Sequence, residues 1–382
     1  MTTRRERSNR TVVAAAVGAA VSVALPGFLI GALSIQVRDE FGVAEGRYGW
    51  AMSAYFLAAT AGSVSLGRLA QRIGPRLQIG IALLTIAVVD VAIAAFATGF
   101  LALVILLAVA GLCNAAAQTA INLALASAGI DRLGLAIAVK QSGMPAASML
   151  SGLAVPLIAL TLGWRWAFVC AAVVAAVSAH TVRMAIPDGV ESMGAHRRLV
   201  SPVRTLLLAG VASAFLAFGA GALNAWVVES GVDAGLSKGV AGLGLSLGAG
   251  LGILMRVGWG LRLDRLRVKP FRIAGWMALI GSLGALALSV RSTPSHVIAT
   301  LLAFGTGWIW PIFTNFGIVR ANAGSAGSAT GITQAGVYLG VFAAPLTSGA
   351  IIEASGYPVM WLVTAVSMAC GALILIVLAE RF

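Results

Sequence analysis

Long apolar runs, separated by short polar segments, extend over almost the whole sequence. An α-helix needs about 20 apolar residues to cross the hydrocarbon core of a bilayer, and runs of this length recur along the chain. The pattern therefore predicts membrane-spanning helices rather than strands. We place twelve of them, at residues 11–37, 48–69, 77–97, 100–127, 134–161, 164–185, 204–229, 238–260, 271–290, 294–319, 327–353 and 357–379.

The longest polar stretch lies near the midpoint of the chain, at residues 187–202. It predicts a cytoplasmic linker between two bundles, residues 1–186 and 203–382. A shift of 193 residues aligns several residues of the two halves, namely Gly67 with Gly260, Asn122 with Asn315, and Gln141 with Gln334. Because amides are rare inside spans, these matches indicate an internal duplication. The predicted fold class is an all-α membrane protein with twelve transmembrane helices in two pseudo-symmetric six-helix bundles.

The composition excludes a water-soluble protein. Hydrophobic residues make up 59% of the 382 residues and charged residues only 10%, whereas a soluble domain carries about 25% charged residues. Twelve spans joined by short loops use nearly all of the chain, which leaves no length for a soluble catalytic domain. We therefore do not expect an enzyme.

The positive charges indicate the orientation in the membrane. The net charge is +13, from 26 Lys and Arg against 13 Asp and Glu. If both termini are cytoplasmic, cytoplasmic segments hold 19 of these 26 residues and the opposite side holds five. Basic residues in short loops favour the cytoplasmic side. The distribution predicts a multi-pass cell-membrane protein with both termini cytoplasmic, and it explains the basic excess without a nucleic-acid partner.

Neither a metal nor a cofactor is expected. The three cysteines, Cys113, Cys170 and Cys370, lie in apolar runs at spacings that do not fit a disulfide framework or a metal site. The sequence also contains no phosphate-binding loop in a strand–helix context and no nucleophile motif. The expected partners are a small-molecule substrate, membrane lipid and a proton, and we expect a monomer.

Two segments resemble the major facilitator superfamily. Gly67-Arg68-Leu69-Ala70-Gln71-Arg72-Ile73-Gly74-Pro75-Arg76 follows the second predicted helix, and Gly260-Leu261-Arg262-Leu263-Asp264-Arg265 follows the eighth. They are similar to the superfamily's loop signature of Gly, an Asp-Arg pair, Gly and a basic residue, although Gln71 replaces the first Asp. Gly163-Trp164-Arg165 is also similar to many members.

The resemblance implies a transporter that works by alternating access, with helices 1, 4, 7 and 10 lining the cavity. It implies gating roles for the residues of the two signature loops, Gly67, Arg72, Gly260, Asp264 and Arg265. Glu229 and Glu353, at the outer ends of their spans, are further candidate gate charges.

Two cations lie inside predicted spans, and neither has an obvious acidic partner there. Arg256 precedes Gly260 by four residues, a spacing similar to that in helix 8 of monocarboxylate and oxalate transporters, where an arginine binds the substrate carboxylate. Lys140 lies about two turns into the fifth predicted helix. Together they predict an anion site. The alternatives are a snorkelling or gate-forming Arg256 and a Lys140 that is hydrated or pairs with Asp131.

Polar residues on the cavity helices are candidates for substrate binding. Asn114, Gln118 and Asn122 recur at every fourth residue and form one stripe on a helix. Packing between helices is the alternative role for such amides. Further candidates are Gln141, Asn224, Trp308, Asn315, Gln334 and Tyr338.

Asp90 is the only acid well inside a predicted span, on the third helix. Because the third helix is peripheral in the resembled fold, one interpretation is a structural or protonated aspartate. The other is a coupling residue in a proton relay.

These observations predict a secondary transporter for a small, monocarboxylate-like organic anion, with proton symport. The alternative is a proton-coupled exporter of lipophilic or cationic compounds, although binding a cation favours acids in the cavity helices and the sequence has none away from their ends. A membrane receptor or scaffold that transports nothing is a third class, disfavoured by the absence of large loops.

Overall fold

The structure is a computed structural model in which residues 2–127, 133–187, 200–263, 265, 269–322 and 326–381 are described. Within these ranges the chain folds into helices and contains no strand. Most of the linker predicted at 187–202 lies outside the described residues, as do Asp131 and Asp264.

The described residues up to 187, here called the N-terminal segment, contain eight α-helices. They are α1 (Thr2–Ala32), α2 (Ser34–Phe41), α3 (Glu45–Ile73), α4 (Pro75–Phe96), α5 (Phe100–Ser127), α6 (Leu133–Gln141), α7 (Gly143–Ala154) and α8 (Trp164–Ala185). A π-helical turn, Val155–Ala159, extends α7. It contains Pro156, which has no N–H to donate to the regular helical ladder.

The described residues from 200 onward, here called the C-terminal segment, contain six α-helices. They are α9 (Val203–Asp233), α10 (Lys238–Leu263), α11 (Pro270–Ala287), α12 (Thr293–Leu302), α13 (Trp310–Ala321) and α14 (Ala326–Leu378), and Ala379–Arg381 is a 3₁₀ turn. A second π-helical turn, Ala303–Gly307, follows α12. The predicted tenth helix is therefore interrupted near its middle.

Ten stretches of the described residues are long and apolar enough to cross a membrane. The longest, Ala329–Arg381, has 53 residues, but Gly356 within it has φ 79° and ψ 174°, so two helices meet there. The positive φ suits glycine, which has no Cβ to clash. The 29-residue α3 is not among the ten.

The helices differ in how deeply they are buried. The apolar part of α1, Thr11–Ala32, is 78% buried, whereas α4 is only 39% buried. One face of α4 carries large exposed apolar side chains at helical spacing, including Leu77, Ile81, Leu84, Val88 and Val91. This pattern is typical of a helix that faces lipid on one side and packs on the other.

The two segments pack against each other mainly through α3 with α14, α7 with α10, α6 with α10, and α1 with α9. Successive long helices run in opposite directions, which places α2 and the start of α3 at one end of the molecule and the end of α3 at the other. We call these the Arg38 end and the Arg72 end.

Candidate functional site

Arg256 is a buried cation on α10, about two turns before the helix ends at Leu263. It is 1% exposed, and its Nη2 donates a hydrogen bond to the main-chain carbonyl of Trp308. The guanidinium carbon lies 5.1 Å from the centroid of the Trp308 ring, in cation–π range. The arginine is therefore held by one residue through both its carbonyl and its ring.

The local sequence explains why the Trp308 carbonyl is free to accept this bond. In a regular helix it would accept from Ile312, but the Ile312 N–H donates to Ile309 instead, at 3.2 Å. Pro311, at the start of α13, has no N–H to offer. The Trp308 carbonyl thus has no main-chain partner among the described residues, and Arg256 supplies the donor.

Aromatic rings surround Trp308 and connect the two segments. The Trp308 ring centroid lies 5.7 Å from that of Phe304 and 6.0 Å from that of Phe28 on α1. Arg256 thus lies beside an aromatic cluster of Phe28, Phe304 and Trp308 to which both segments contribute. Such a low-dielectric wall strengthens any electrostatic interaction of the guanidinium.

The guanidinium has donors to spare. Neither Nε nor Nη1 of Arg256 has a hydrogen-bond partner, although both atoms are buried. Among the described residues, no carboxylate forms an ion pair with Arg256. An unpaired buried charge is costly, and the unpartnered N–H groups of the guanidinium can donate charge-assisted hydrogen bonds to an anion. The geometry therefore suits a small anion.

Asn224 on α9 also joins the two segments. Its Oδ1 accepts a hydrogen bond of 2.6 Å from Ser148 Oγ on α7, and its Nδ2 donates to the Ala220 carbonyl. Both Asn224 and Ser148 are buried. With these partners engaged, Asn224 stabilises the contact between the two segments. It remains a candidate for substrate binding as well.

The sequence model of one family, described as Major Facilitator Superfamily, matches residues 12–345. The chain belongs to the major facilitator superfamily. It is a multi-pass membrane transporter and not an enzyme. Among curated proteins, none matches its sequence.

In this superfamily member, the predicted stripe of amides on α5 is partly buried and partly exposed. Asn114 is 1% exposed, with its Oδ1 unpartnered, and Gln118 is 7% exposed. Asn122 is exposed. The three amides thus run from the buried middle of the transporter towards the Arg72 end.

The other predicted binding residues of the transporter are half-buried. They are Lys140 and Gln141 at the end of α6, Asn315 on α13, and Gln334 and Tyr338 on α14. For the described residues, the structure records no hydrogen bond or ion pair of Lys140, and no contact between Lys140 and Arg256. Tyr338 lies close enough to the buried Tyr55 of α3 to interact with it electrostatically.

The two loop signatures of the superfamily occupy different surroundings. On α10, a Cβ added to Gly260 would collide with the Cβ of Ala138 on α6, so glycine allows the two segments to approach there. A Cβ on Gly67 would lie 3.8 Å from Thr119, an ordinary contact. Arg72 and Arg265 are exposed, whereas Asp264 lies outside the described residues.

Arg38 forms a cross-segment cluster that the sequence analysis did not identify. Its guanidinium pairs with Glu229 of α9, lies 2.7 Å from the Glu45 carboxylate, and donates to the Val43 carbonyl at 3.0 Å. Nearby, the Gly46 N–H donates to Glu353 at 3.2 Å. The predicted gate charges Glu229 and Glu353 therefore both contact the N-terminal segment at the Arg38 end.

Gln78 is another buried amide that sequence reasoning passed over. Its Nε2 donates to the carbonyls of Leu66 on α3 and Ala116 on α5, both at 2.9 Å. It lies on α4, and so ties three helices together near the Arg72 end. The feature of the sequence that indicates this role is a polar residue within the first turn of an apolar helix.

For the described part of the chain, no three potential ligand side chains come together as a metal site would require. The candidate site consists of Arg256, Trp308 and the aromatic rings around them. It lies between α1, α10 and the break that separates α12 from α13.

Proposed function

We propose that this transporter carries a small organic anion of the monocarboxylate type. The observation that carries the proposal is the buried Arg256 guanidinium, with two donors unpartnered beside apolar aromatic rings. A compact carboxylate with an apolar substituent matches both features, since the oxygens accept from the guanidinium and the substituent packs on the rings. Lys140 adds a second positive charge towards the Arg72 end of the proposed substrate pathway.

The proposal includes twelve spanning helices in two bundles, residues 1–186 and 203–382, that alternate access to the site. Support comes from counting α3 as a span and dividing α14 at Gly356, which raises the ten candidate spans to twelve. Cross-segment contacts at Gly260 and around Arg38 support gating by relative movement of the two bundles.

We further propose location in the cell membrane with both termini cytoplasmic, as the distribution of Lys and Arg favours. We also propose coupling to a proton. Transport would then be electrically neutral, because a monoanion that enters with one proton adds no net charge. Uptake driven by a pH gradient would then respond only weakly to membrane voltage.

Arg256→Gln tests the anion site with pyruvate as the probe. The substitution keeps a polar side chain and removes the charge, so we expect a loss of about 1.5–3 kcal/mol in binding, or roughly tenfold to hundredfold in affinity. Arg256→Lys restores only part of the affinity, because a point charge lacks the planar pair of donors. Equilibrium binding of labelled pyruvate to the purified protein in detergent measures both.

The matched control is Arg262→Gln, on the same helix. Arg262 is exposed, and within the described residues its side chain donates to the carbonyl of Gly258, at 3.2 Å, so we expect unchanged affinity. Unchanged pyruvate affinity in Arg256→Gln contradicts the anion site even if transport is lost. Binding of a lipophilic cationic dye, with no pyruvate binding in the unaltered protein, would favour the exporter.

A further inference from the structure

A second buried polar group lies in the N-terminal segment, on α4. Asp90 is 0% exposed, and neither of its carboxylate oxygens has a hydrogen-bond partner. Its neighbours on the same face of α4, Ile86, Val89 and Ile93, are buried and apolar. An ionised carboxylate without partners would be strongly unfavourable in such a place. This environment favours the neutral, protonated form of the carboxyl group over the carboxylate.

No cation among the described residues offsets the charge of Asp90. The helices packed against α4 are α1, α3, α5 and α8. Two titratable groups face Asp90 closely enough to interact electrostatically, Tyr55 from α3 and Cys113 from α5. The apolar part of α1 has no charged residue, and Arg165 and Arg183 lie at the two ends of α8. Releasing the proton would therefore leave a negative charge that no described cation compensates, within electrostatic range of Tyr55.

Tyr55 connects this acid to α1. Its hydroxyl donates to the carbonyl of Val23 at 2.7 Å. Its ring packs so closely on Gly27 that a Cβ there would lie 2.9 Å from the ring. Pro26 lies between these two contacts and weakens the helical ladder of α1 at this point. Tyr55 therefore contacts α1 on both sides of its proline.

The same part of α1 contacts the anion site. Phe28 follows Gly27 directly, and its ring pairs with that of Trp308, whose carbonyl holds Arg256. Contacts thus lead from Tyr55 through α1 and Trp308 to Arg256, and the electrostatic interaction of Asp90 with Tyr55 connects the acid to them. They cross from the N-terminal to the C-terminal segment.

A cavity lies between α3, α4 and α5 on the side of Asp90 towards the Arg72 end, and Asp90 itself does not line it. It has a volume of about 280 Å³ and is lined by Cys113 and by the polar side chains of Thr85, Gln78 and Ser65. Gln78 and Asp90 are both buried on α4, three helical steps of four residues apart. The cavity thus brings Thr85, about one and a half helical turns from Asp90, and its neighbour Cys113 into one partly polar space.

From this geometry we infer that Asp90 is the proton site of the transporter, and that Tyr55 and α1 couple its protonation to anion binding at Arg256. The carboxylate takes up one H⁺ to become the carboxylic acid, and returns that H⁺ to water when it ionises again. The coupling rests on the proposed anion function, whereas the proton site itself does not.

Infrared spectroscopy of the full chain in lipid tests the proton site directly. A protonated carboxylic acid has a carbonyl stretching band that a carboxylate lacks. We expect this band at neutral pH in the unaltered protein, its disappearance in Asp90→Asn, and its retention in Asp90→Glu. Cys113→Ser is the matched control, because it alters a neighbour of Asp90 and leaves the acid in place. Identical bands in the unaltered protein and in Asp90→Asn overturn the proton site.

Repeating the pH titration of the band with pyruvate tests the coupling. Because linkage is reciprocal, pyruvate must move the midpoint of the titration to higher pH. Each tenfold gain in pyruvate affinity on protonation corresponds to a rise of about one pH unit in that midpoint. We expect a shift that Tyr55→Phe reduces and Arg256→Gln abolishes, with the band itself retained in both variants. If pyruvate binds and the midpoint does not move, the coupling is overturned. If pyruvate does not bind, the proposed function fails with this probe, while the band still decides whether Asp90 holds a proton.

Discussion

At the residue scale, one arginine combines an unfavourable position with a specific set of contacts. Arg256 is almost wholly buried, yet only one of its nitrogen atoms has a hydrogen-bond partner. A buried group can stay charged when neighbouring groups compensate part of the free-energy cost of its desolvation. The Trp308 carbonyl and ring provide part of that compensation, and a bound carboxylate would provide the rest.

Trp308→Phe separates the contribution of the ring from that of the carbonyl. The main-chain hydrogen bond is kept, whereas the smaller ring attracts the guanidinium less strongly, an effect of up to about 2 kcal/mol in a desolvated site. We expect pyruvate affinity to fall by about twofold to thirtyfold. Isothermal titration of the purified variant measures the change.

The control for this variant is Trp310→Phe, which alters a second buried tryptophan two residues away. For Trp310 the structure records no contact with Arg256 within the described residues, so its substitution should leave pyruvate affinity unaltered. Equal losses in the two variants would indicate a general packing effect and not a role for the Trp308 ring.

At the element scale, glycine determines how closely α10 approaches α6. The Cβ that Gly260 lacks would overlap the Cβ of Ala138 and would lie 3.5 Å from the carbonyl of Gly134. Gly258, half a turn earlier on α10, has nothing within 4 Å of its absent Cβ. Two glycines of one helix thus face different surroundings, one against the opposite segment and one in open space.

Gly260→Ala and Gly258→Ala form a matched pair. Alanine at 258 should stabilise the helix by up to about 1 kcal/mol, because alanine has the higher helix propensity. The same change at 260 should destabilise the protein by about 1–3 kcal/mol, since the methyl group overpacks the interface. Thermal unfolding in detergent checks both values. A rise in unfolding temperature for Gly260→Ala would show that α6 and α10 need not approach so closely.

At the scale of the whole molecule, charged contacts join the two segments at the Arg38 end. Arg38 pairs with Glu45 of its own segment and with Glu229 of the other, and the side chains of Arg38 and Glu229 are only 17% and 9% exposed. Partly buried pairs of this kind contribute more than exposed ones. Lys238 and Asp39, 3.3 Å apart and more exposed, form a weaker link nearby.

Glu229→Gln should weaken closure at the Arg38 end. The neutral amide cannot replace the ion pair, so the population with this end open should rise. Ser53, which is buried and donates to the Phe342 carbonyl across the α3–α14 contact, reports on it. In a background without the three native cysteines, a cysteine at position 53 should react several-fold faster with an impermeant thiol reagent added outside intact cells.

Asp39→Asn is the control, because the exposed Lys238–Asp39 pair should contribute little. An equal rate of labelling with and without Glu229→Gln would contradict the gate. Labelling that occurs only from the cytoplasmic side would instead contradict the proposed orientation of both termini.

The apolar runs predicted the helical segments well, because a helix that crosses a membrane must bury its own backbone hydrogen bonds and needs a fixed apolar length. Their interruptions were harder to predict. The breaks near Ser142 and between Ala303 and Ile309 occur inside runs that look continuous, since hydropathy does not register a local change in backbone hydrogen bonding.

By itself, the sequence determined that the protein is a helical membrane protein and that Arg256 and Asp90 are ionisable groups inside apolar spans. Both conclusions follow from local composition, because the bilayer imposes the same requirement on every spanning segment. Only the tertiary structure decided that Arg256 meets the Trp308 carbonyl, that Phe28 of the other segment packs against the same ring, and that Arg38 pairs with Glu229. These contacts join residues far apart in the chain, and their formation depends on how the helices pack, which no local pattern specifies.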